Sequence, residues 1–162
     1  MSIDFVEETY TLVLRIHGTI IKESGGEQGI RDQGGLYNSL YKILSYQESH
    51  RDDPMAVGAF VYQELAQRHH FSDGNKRTAH AFAKIMLFLS GYHLKIEYKE
   101  AVKFIIEVAK YKSKITPEKI KEWVGKHTLK IRVWKPLIIA VEEKNVEKYL
   151  NEIIQDIVEH GK

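Results

Sequence analysis

The chain has no cysteine, which excludes disulfide cross-links and thiol chemistry. Proline is scarce, and no apolar run approaches the roughly 18 residues a membrane span needs. Charge of one sign is missing as well: the net charge is +2, which gives no basis for an obligatory nucleic-acid partner. The opening residues, Met-Ser-Ile-Asp-Phe-Val-Glu-Glu, carry neither a basic start nor an apolar signal core. A soluble cytoplasmic protein with no membrane partner is the expectation. Two common chemistries are also excluded. No His-Glu-x-x-His pair and no His-Asp dipeptide offers a metal-hydrolase site, and Gly74-Asn75-Lys76 lacks the glycine five residues upstream that a Walker loop requires. Forcing His69, Asp73 and His80 into a metal site gives no recognised zinc spacing.

What is present is helical periodicity. With 43% apolar and 28% charged residues, the 162-residue chain has the balance of one globular domain, or one domain with a tail. Ile3, Val6, Tyr10, Val13, Leu14, His17, Ile20 and Ile21 recur at helical spacing, predicting a first helix over residues 4–23 that ends at Gly25-Gly26. A second helix is expected over 36–46, and residues 47–53 read as a loop or small hairpin. Pro54 after Asp52-Asp53 starts a third helix, to about Gln67. A fourth reaches Leu89 and is apolar on nearly all sides, which marks it as the central core helix. A fifth is expected over 99–111, and Thr116-Pro117 opens a sixth. Ile131 to Trp134 reads as extended. A last periodic helix spans 142–159, with Val146, Tyr149, Leu150, Ile153, Ile154, Ile157 and Val158 on one face.

The chemistry concentrates in one segment, His69-His70-Phe71-Ser72-Asp73-Gly74-Asn75-Lys76-Arg77-Thr78-Ala79. It is a loop that feeds the N-terminus of a buried helix, where unsatisfied N–H groups and the helix dipole favour an anion. His69 can take a proton from a substrate hydroxyl; alternatively it is a helix-end histidine held by the dipole. Asp73 offers a hard oxygen for Mg²⁺, or an N-cap or Asx turn. Gly74 lets the backbone approach a phosphate. Asn75 either donates to a phosphate oxygen or stabilises the turn. Lys76 and Arg77 sit at the wrong end of the dipole for cations, which a bound polyphosphate would explain; a solvated charge pair is the alternative. Phe71 anchors the loop, and His70 reads as structural or solvated.

These residues resemble the signature of the Fic/Doc superfamily, His-x-Phe-x-Asp/Glu-Gly-Asn-x-Arg, filled from His69 to Arg77. Lys76 stands where Fic-type nucleotidyl transferases have glycine, and His80 where they have a second arginine. Lys-Arg-Thr-Ala over 76–79 looks like the Doc, or death-on-curing, branch. Gly29-Ile30-Arg31-Asp32, Gly35-Leu36 and Ser39-Leu40 resemble a further Doc segment, and Phe88-Leu89-x-Gly91-Tyr92 and the Trp123 helix continue the pattern. The resemblance covers about residues 3–126. It implies an all-α, Fic/Doc-like helical bundle with a short flap before the third helix, over residues 45–53, that pairs with a target segment by strand addition. The implied organisation is a catalytic domain over 1–126 and a C-terminal helical extension over 127–162.

The resemblance further implies a toxin of a toxin–antitoxin module that moves a phosphate from ATP to a hydroxyl of translation elongation factor Tu. His69 would be the base, Asp73 the Mg²⁺ ligand, and Gly74, Asn75, Lys76 and Arg77 the phosphate grip. The family's inhibitory signature, Ser/Thr-x-x-x-Glu-Gly/Asn, is absent, so a separate antitoxin protein is implied. The alternatives are AMP or UMP transfer at the same site, or a nucleotide-binding module without catalysis. For the last helix, three placements are open: packing on its own domain, a homodimer contact, or the groove where an antitoxin helix would lie.

Overall fold

Helix α4 (Asn75–Leu89) organises the fold, because all its residues except Lys76, Phe88 and Leu89 are buried. The run Ala79-His80-Ala81-Phe82-Ala83 explains how: small alanines let neighbours approach on every side while Phe82, Ile85 and Leu87 fill the space between them. Its main partner is α3 (Pro54–Ala66), and α1 (Ile3–Ser24) covers another side. Around them pack α2 (Gln33–Ser49), α5 (Tyr98–Ala109) and α6 (Pro117–Lys126). The computed structural model describes residues 2–131 and 135–161, leaving aside the side chains of residues 135–145. The expected all-α bundle is the architecture observed.

Local chemistry sets the helix ends. Ser2 caps α1 at the Phe5 N–H (3.4 Å), Asp53 caps α3 at Ala56 with Pro54 in the first turn, and Thr116 caps α6 with Pro117 behind it. Asp32 caps α2 at Gly35, so that helix begins at Gln33, ahead of the expected Leu36. It also runs on to Ser49, which shortens the expected flap to the turn at residues 50–53. The reason is local. Ser49 Oγ bonds back to the carbonyls of Ser45 and Tyr46, and the Tyr46 ring stacks on both His50 and Phe60.

Two short strands, β1 (Tyr92–Leu94) and β2 (Thr128–Lys130), pair antiparallel with His93 opposite Leu129. The extended character expected at Ile131–Trp134 therefore falls earlier in the chain; Arg132, Val133 and Trp134 lie outside the described residues. Helix α7 (Lys135–His160) begins before the expected residue 142, with Pro136 in its first turn. It returns across α1, α4 and α5, and Leu150, Ile153, Ile154 and Ile157 are buried in the common core. Asp156 Oδ2 accepts the Tyr98 N–H (2.8 Å) and so supplies the cap that α5 lacks from its own residue Glu97.

Three buried histidines make the fold acid-sensitive. Burial lowers the pKa of His17, His70 and His80, the last well below its ordinary value. The unfolded chain protonates all three as pH falls past about 6.5, while the folded chain keeps them neutral. Stability is therefore complete above that pH and is lost beneath it, at up to about 1.4 kcal/mol per pH unit for each ring. The midpoint of urea unfolding is expected to drop between pH 7 and pH 5, before carboxylates titrate. An unchanged midpoint across that range would mean that the rings accept protons in place.

Candidate functional site

The segment 67–74 is held in shape from both sides. After α3 ends, Gln67 Nε2 donates to the Val108 carbonyl (2.9 Å), and Arg68 returns to Glu64. His69 then takes a left-handed conformation, φ +51°, which residues carrying a Cβ rarely adopt. Its side chain is exposed and has no hydrogen-bond partner among the described residues. The next residues lie against the segment Gly29–Asp32. The His70 carbonyl accepts N–H groups from Arg31 (2.7 Å) and Asp32 (3.2 Å), Ile30 bridges Phe71, and the Ser72 N–H reaches the Gly29 carbonyl. Two sequence segments read separately thus form one structural unit.

Phe71 is the anchor expected of it. It is buried and stacks on His17 with centroids 3.8 Å apart. Asn75 closes the loop with both ends of its amide: Oδ1 accepts the Phe71 N–H, and Nδ2 donates to the Phe71 carbonyl, each at 2.9 Å. These contacts support the turn-stabilising alternative. One of the two Nδ2 hydrogens is used in this way, which leaves the amide a second donor. His17, read in the sequence as part of an apolar stripe, donates Nε2–H to the Asp73 carbonyl (2.9 Å) and braces the same turn.

Gly74, φ +76°, precedes α4 in a conformation that favours glycine, and a Cβ there would lie 2.9 Å from Ile21 Cδ1. No side chain caps α4 among the described residues, so its first N–H groups remain open to a ligand. Beside them a cavity of about 250 Å³ is lined by Asp73 through Arg77 together with Tyr98, Val102, His160 and Gly161. The structure therefore brings together Asp73, Gly74, Asn75, Lys76 and Arg77, whereas His69 stands outside this cavity on the exposed loop.

The two cations differ. Arg77 has a buried side chain whose Nη1 donates to Ser24 Oγ (2.5 Å) and to the Gly25 carbonyl (2.7 Å), and whose Nη2 pairs with Asp73 Oδ1 (3.1 Å). A cation at the N-terminus of α4 is thereby also a cation at the C-terminus of α1, where the dipole favours it. That accounts for Arg77 without a polyphosphate. Lys76 has no such partner among the described residues and reaches the cavity partly exposed.

Asp73 keeps about half its side chain exposed. Partial burial pushes its carboxyl up, but the Gly74 N–H, the Arg77 guanidinium and the Glu27 backbone together hold it below its ordinary value. It is an anion at neutral pH with a solvent-facing side. That suits Mg²⁺, which binds through one or two carboxylates together with phosphate oxygens. Gly26 belongs to the same cluster, since a Cβ there would fall 2.4 Å from Asp73 Oδ2. His80, at the position of the second arginine of nucleotidyl transferases, is fully buried and bonds to the Tyr62 hydroxyl (2.7 Å).

Ser24, Gly26, Tyr98, His160 and Gly161 were not legible as site residues, being distant in sequence and ordinary in type. The glycine pair after the first helix was the one available signal.

Residues 7–87, half of the chain and the stretch from α1 into α4, match the Fic/DOC family. The chain belongs to that family. Its members are typically transferases that act on proteins, and they bind a nucleotide, ATP, and typically a metal ion. A comparison with curated proteins gives no match.

Proposed function

We propose that this chain is a Doc-like toxin that transfers the γ-phosphate of ATP to a hydroxyl of a protein, with translation elongation factor Tu as the target. The observation that carries the reading is the uncapped N-terminus of α4 opening on a cavity with Lys76 at its edge. Phosphoryl transfer needs mainly positioning and neutralisation of charge, and these groups supply both. His69, exposed on the loop that leads into α4, takes the proton as the target oxygen bonds to the γ-phosphorus and the bond to the β-phosphate oxygen breaks, releasing ADP. Its exposure suits a hydroxyl carried by a large partner. Lys76 and the N–H groups of the first turn hold the phosphate oxygens. Asp73 would hold Mg²⁺, which when bound neutralises phosphate charge.

AMP transfer is the alternative, and His80 disfavours it. A buried imidazole turned to Tyr62 offers no second cation to the phosphates. A separate antitoxin and a cytoplasmic location belong to the same proposal. The decisive experiment incubates the chain with elongation factor Tu and ATP labelled at either the α or the γ phosphate. Label from γ on the target supports the proposal, and label from α replaces it with AMP transfer. No label at all leaves a nucleotide-binding module.

The cations make a separable prediction. Lys76→Ala is expected to weaken ATP binding by the worth of one charge-assisted contact, about 1.5 to 3 kcal/mol, with the melting temperature unchanged. Arg77→Ala is expected to lower the melting temperature, because it removes the donor that Ser24 Oγ, the Gly25 carbonyl and Asp73 Oδ1 share. Calorimetric titration and thermal melts on both variants read the difference. Equal melting temperatures would contradict the role given to Arg77.

A further inference from the structure

The residues on either side of His69 are both tied to one buried residue, Glu64: Arg68 to its carboxylate, and His70 to its main-chain carbonyl and, through Ser39, to the carboxylate. On one side, Arg68 Nε lies 2.8 Å from Glu64 Oε2 and its Nη2 lies 3.0 Å from Oε1. On the other, His70 Nε2 lies 2.9 Å from Ser39 Oγ and 3.2 Å from the Glu64 carbonyl. Ser39 Oγ closes the loop by donating to Glu64 Oε2 at 2.8 Å. Its single hydrogen is thereby used, so His70 must be the donor, through Nε2–H, to both Ser39 and the Glu64 carbonyl. That leaves Nδ1 as a bare acceptor, and His70 Nδ1 is indeed buried without a partner among the described residues. Ser39, Glu64 and His70 are all buried.

Such a network is costly as mere filling, since apolar residues of similar volume serve a core at least as well as a buried charge. What it provides is a fixed geometry. The beneficiary is the one residue between Arg68 and His70. His69 holds φ +51°, a conformation that costs about 1 kcal/mol or more and persists only where its surroundings over-determine it. Ordinary helix termination does not require it here: the left-handed residue of such an end directly follows the C-cap, which is Gln67, whereas the positive φ falls one residue later, at His69 rather than Arg68.

We propose that Glu64, with Ser39 and His70, is the positioning element for His69: it clamps the backbone on both sides and so sets the direction of the imidazole. This rests on the reading of His69 as the base. Glu64 touches no reacting atom; it acts through the main chain of residues 68–70. His70, which looked structural or solvated in the sequence, becomes a determinant of the site.

The test uses Ser39→Ala and His70→Phe, which remove the polar links with little change in volume, and His69→Ala as reference. Nuclear magnetic resonance reads the three-bond HN–Hα coupling of residue 69, which depends on φ. Transfer to the target and the Kd for ATP are measured on the same proteins. The coupling is expected to leave its left-handed value, with turnover falling about ten- to a hundredfold, the cost of misplacing a catalytic group, and the Kd unchanged. An unchanged coupling in both folded variants overturns the clamp. A changed coupling with full turnover, where His69→Ala is inactive, overturns its role in positioning. Full activity of His69→Ala instead sinks the reading of His69 as the base, and the coupling alone then decides the clamp. Should His70→Phe fail to fold, Ser39→Ala alone decides by the same readings.

Discussion

His69→Ala is expected to lower transfer by about 10² to 10⁴, the usual contribution of a positioned general base, and to abolish growth arrest on induction. The fold is expected to survive. His69 is exposed and contributes no hydrogen bond among the described residues, so little packing is lost. Alanine also inherits the same left-handed strain, because that strain comes from Cβ and not from the ring. A companion variant separates the two effects. His69→Gly removes both the ring and the strain, and is expected to be at least as stable as His69→Ala while equally inactive. Cells that still stop growing when His69→Ala is induced would show that the histidine is not the base.

Deleting residues 136–162 is expected to cost most of the stability of the fold. Leu150, Ile153, Ile154 and Ile157 of α7 lie in the same core as α1, α4 and α5. At about 1.5 to 3 kcal/mol for each fully buried side chain, their loss amounts to roughly 6 to 12 kcal/mol, comparable to the whole stability of a typical domain. The truncation also removes Asp156, leaving the Tyr98 N–H and the buried Lys84 without its charge nearby. The shortened chain is expected to be insoluble or to associate through the exposed faces of α1 and α4. A soluble truncation with unchanged melting temperature and mass would show that the helix is dispensable. Of the placements open for this helix, packing on its own domain is the one observed; the expected division at residue 126 remains a proposal about folding units. The Arg15–Glu147 ion pair adds little, both side chains being about half exposed.

The helices were legible because their signals are local. Asp53-Pro54 and Thr116-Pro117 place helix starts by hydrogen bonds that span three residues, and the apolar run after Ala79 marks a central helix by composition alone. The loop was legible as a unit for the same reason. What each of its residues does was less so. Arg77 reads as a free cation because its partners Ser24 and Gly25 lie more than fifty positions away, and the two readings of Asn75 stand level until Phe71 is seen to engage both ends of its amide. His17 hides among Val13, Ile20 and Ile21 at helical spacing, since a histidine on an apolar face looks the same whether or not it bonds a distant carbonyl. The shortened flap has a similar origin: Tyr46 stacking on Phe60 of α3 extends α2, and that contact is tertiary. The strand pair escapes notice because three residues a side carry almost no periodicity.

The position of Gly161 bears on how the protein can be handled. A Cβ at that residue would sit 3.3 Å from Arg77 Cδ, and His160 and Gly161 form one wall of the cavity at the start of α4. A side chain introduced at Gly161 therefore meets the stem of Arg77 and narrows the cavity from that wall. A reporter group attached at His160 or Gly161 adds bulk to the same wall. Under the proposed reading of the cavity as the nucleotide site, assays on a protein labelled there would report the obstruction as well as the transfer.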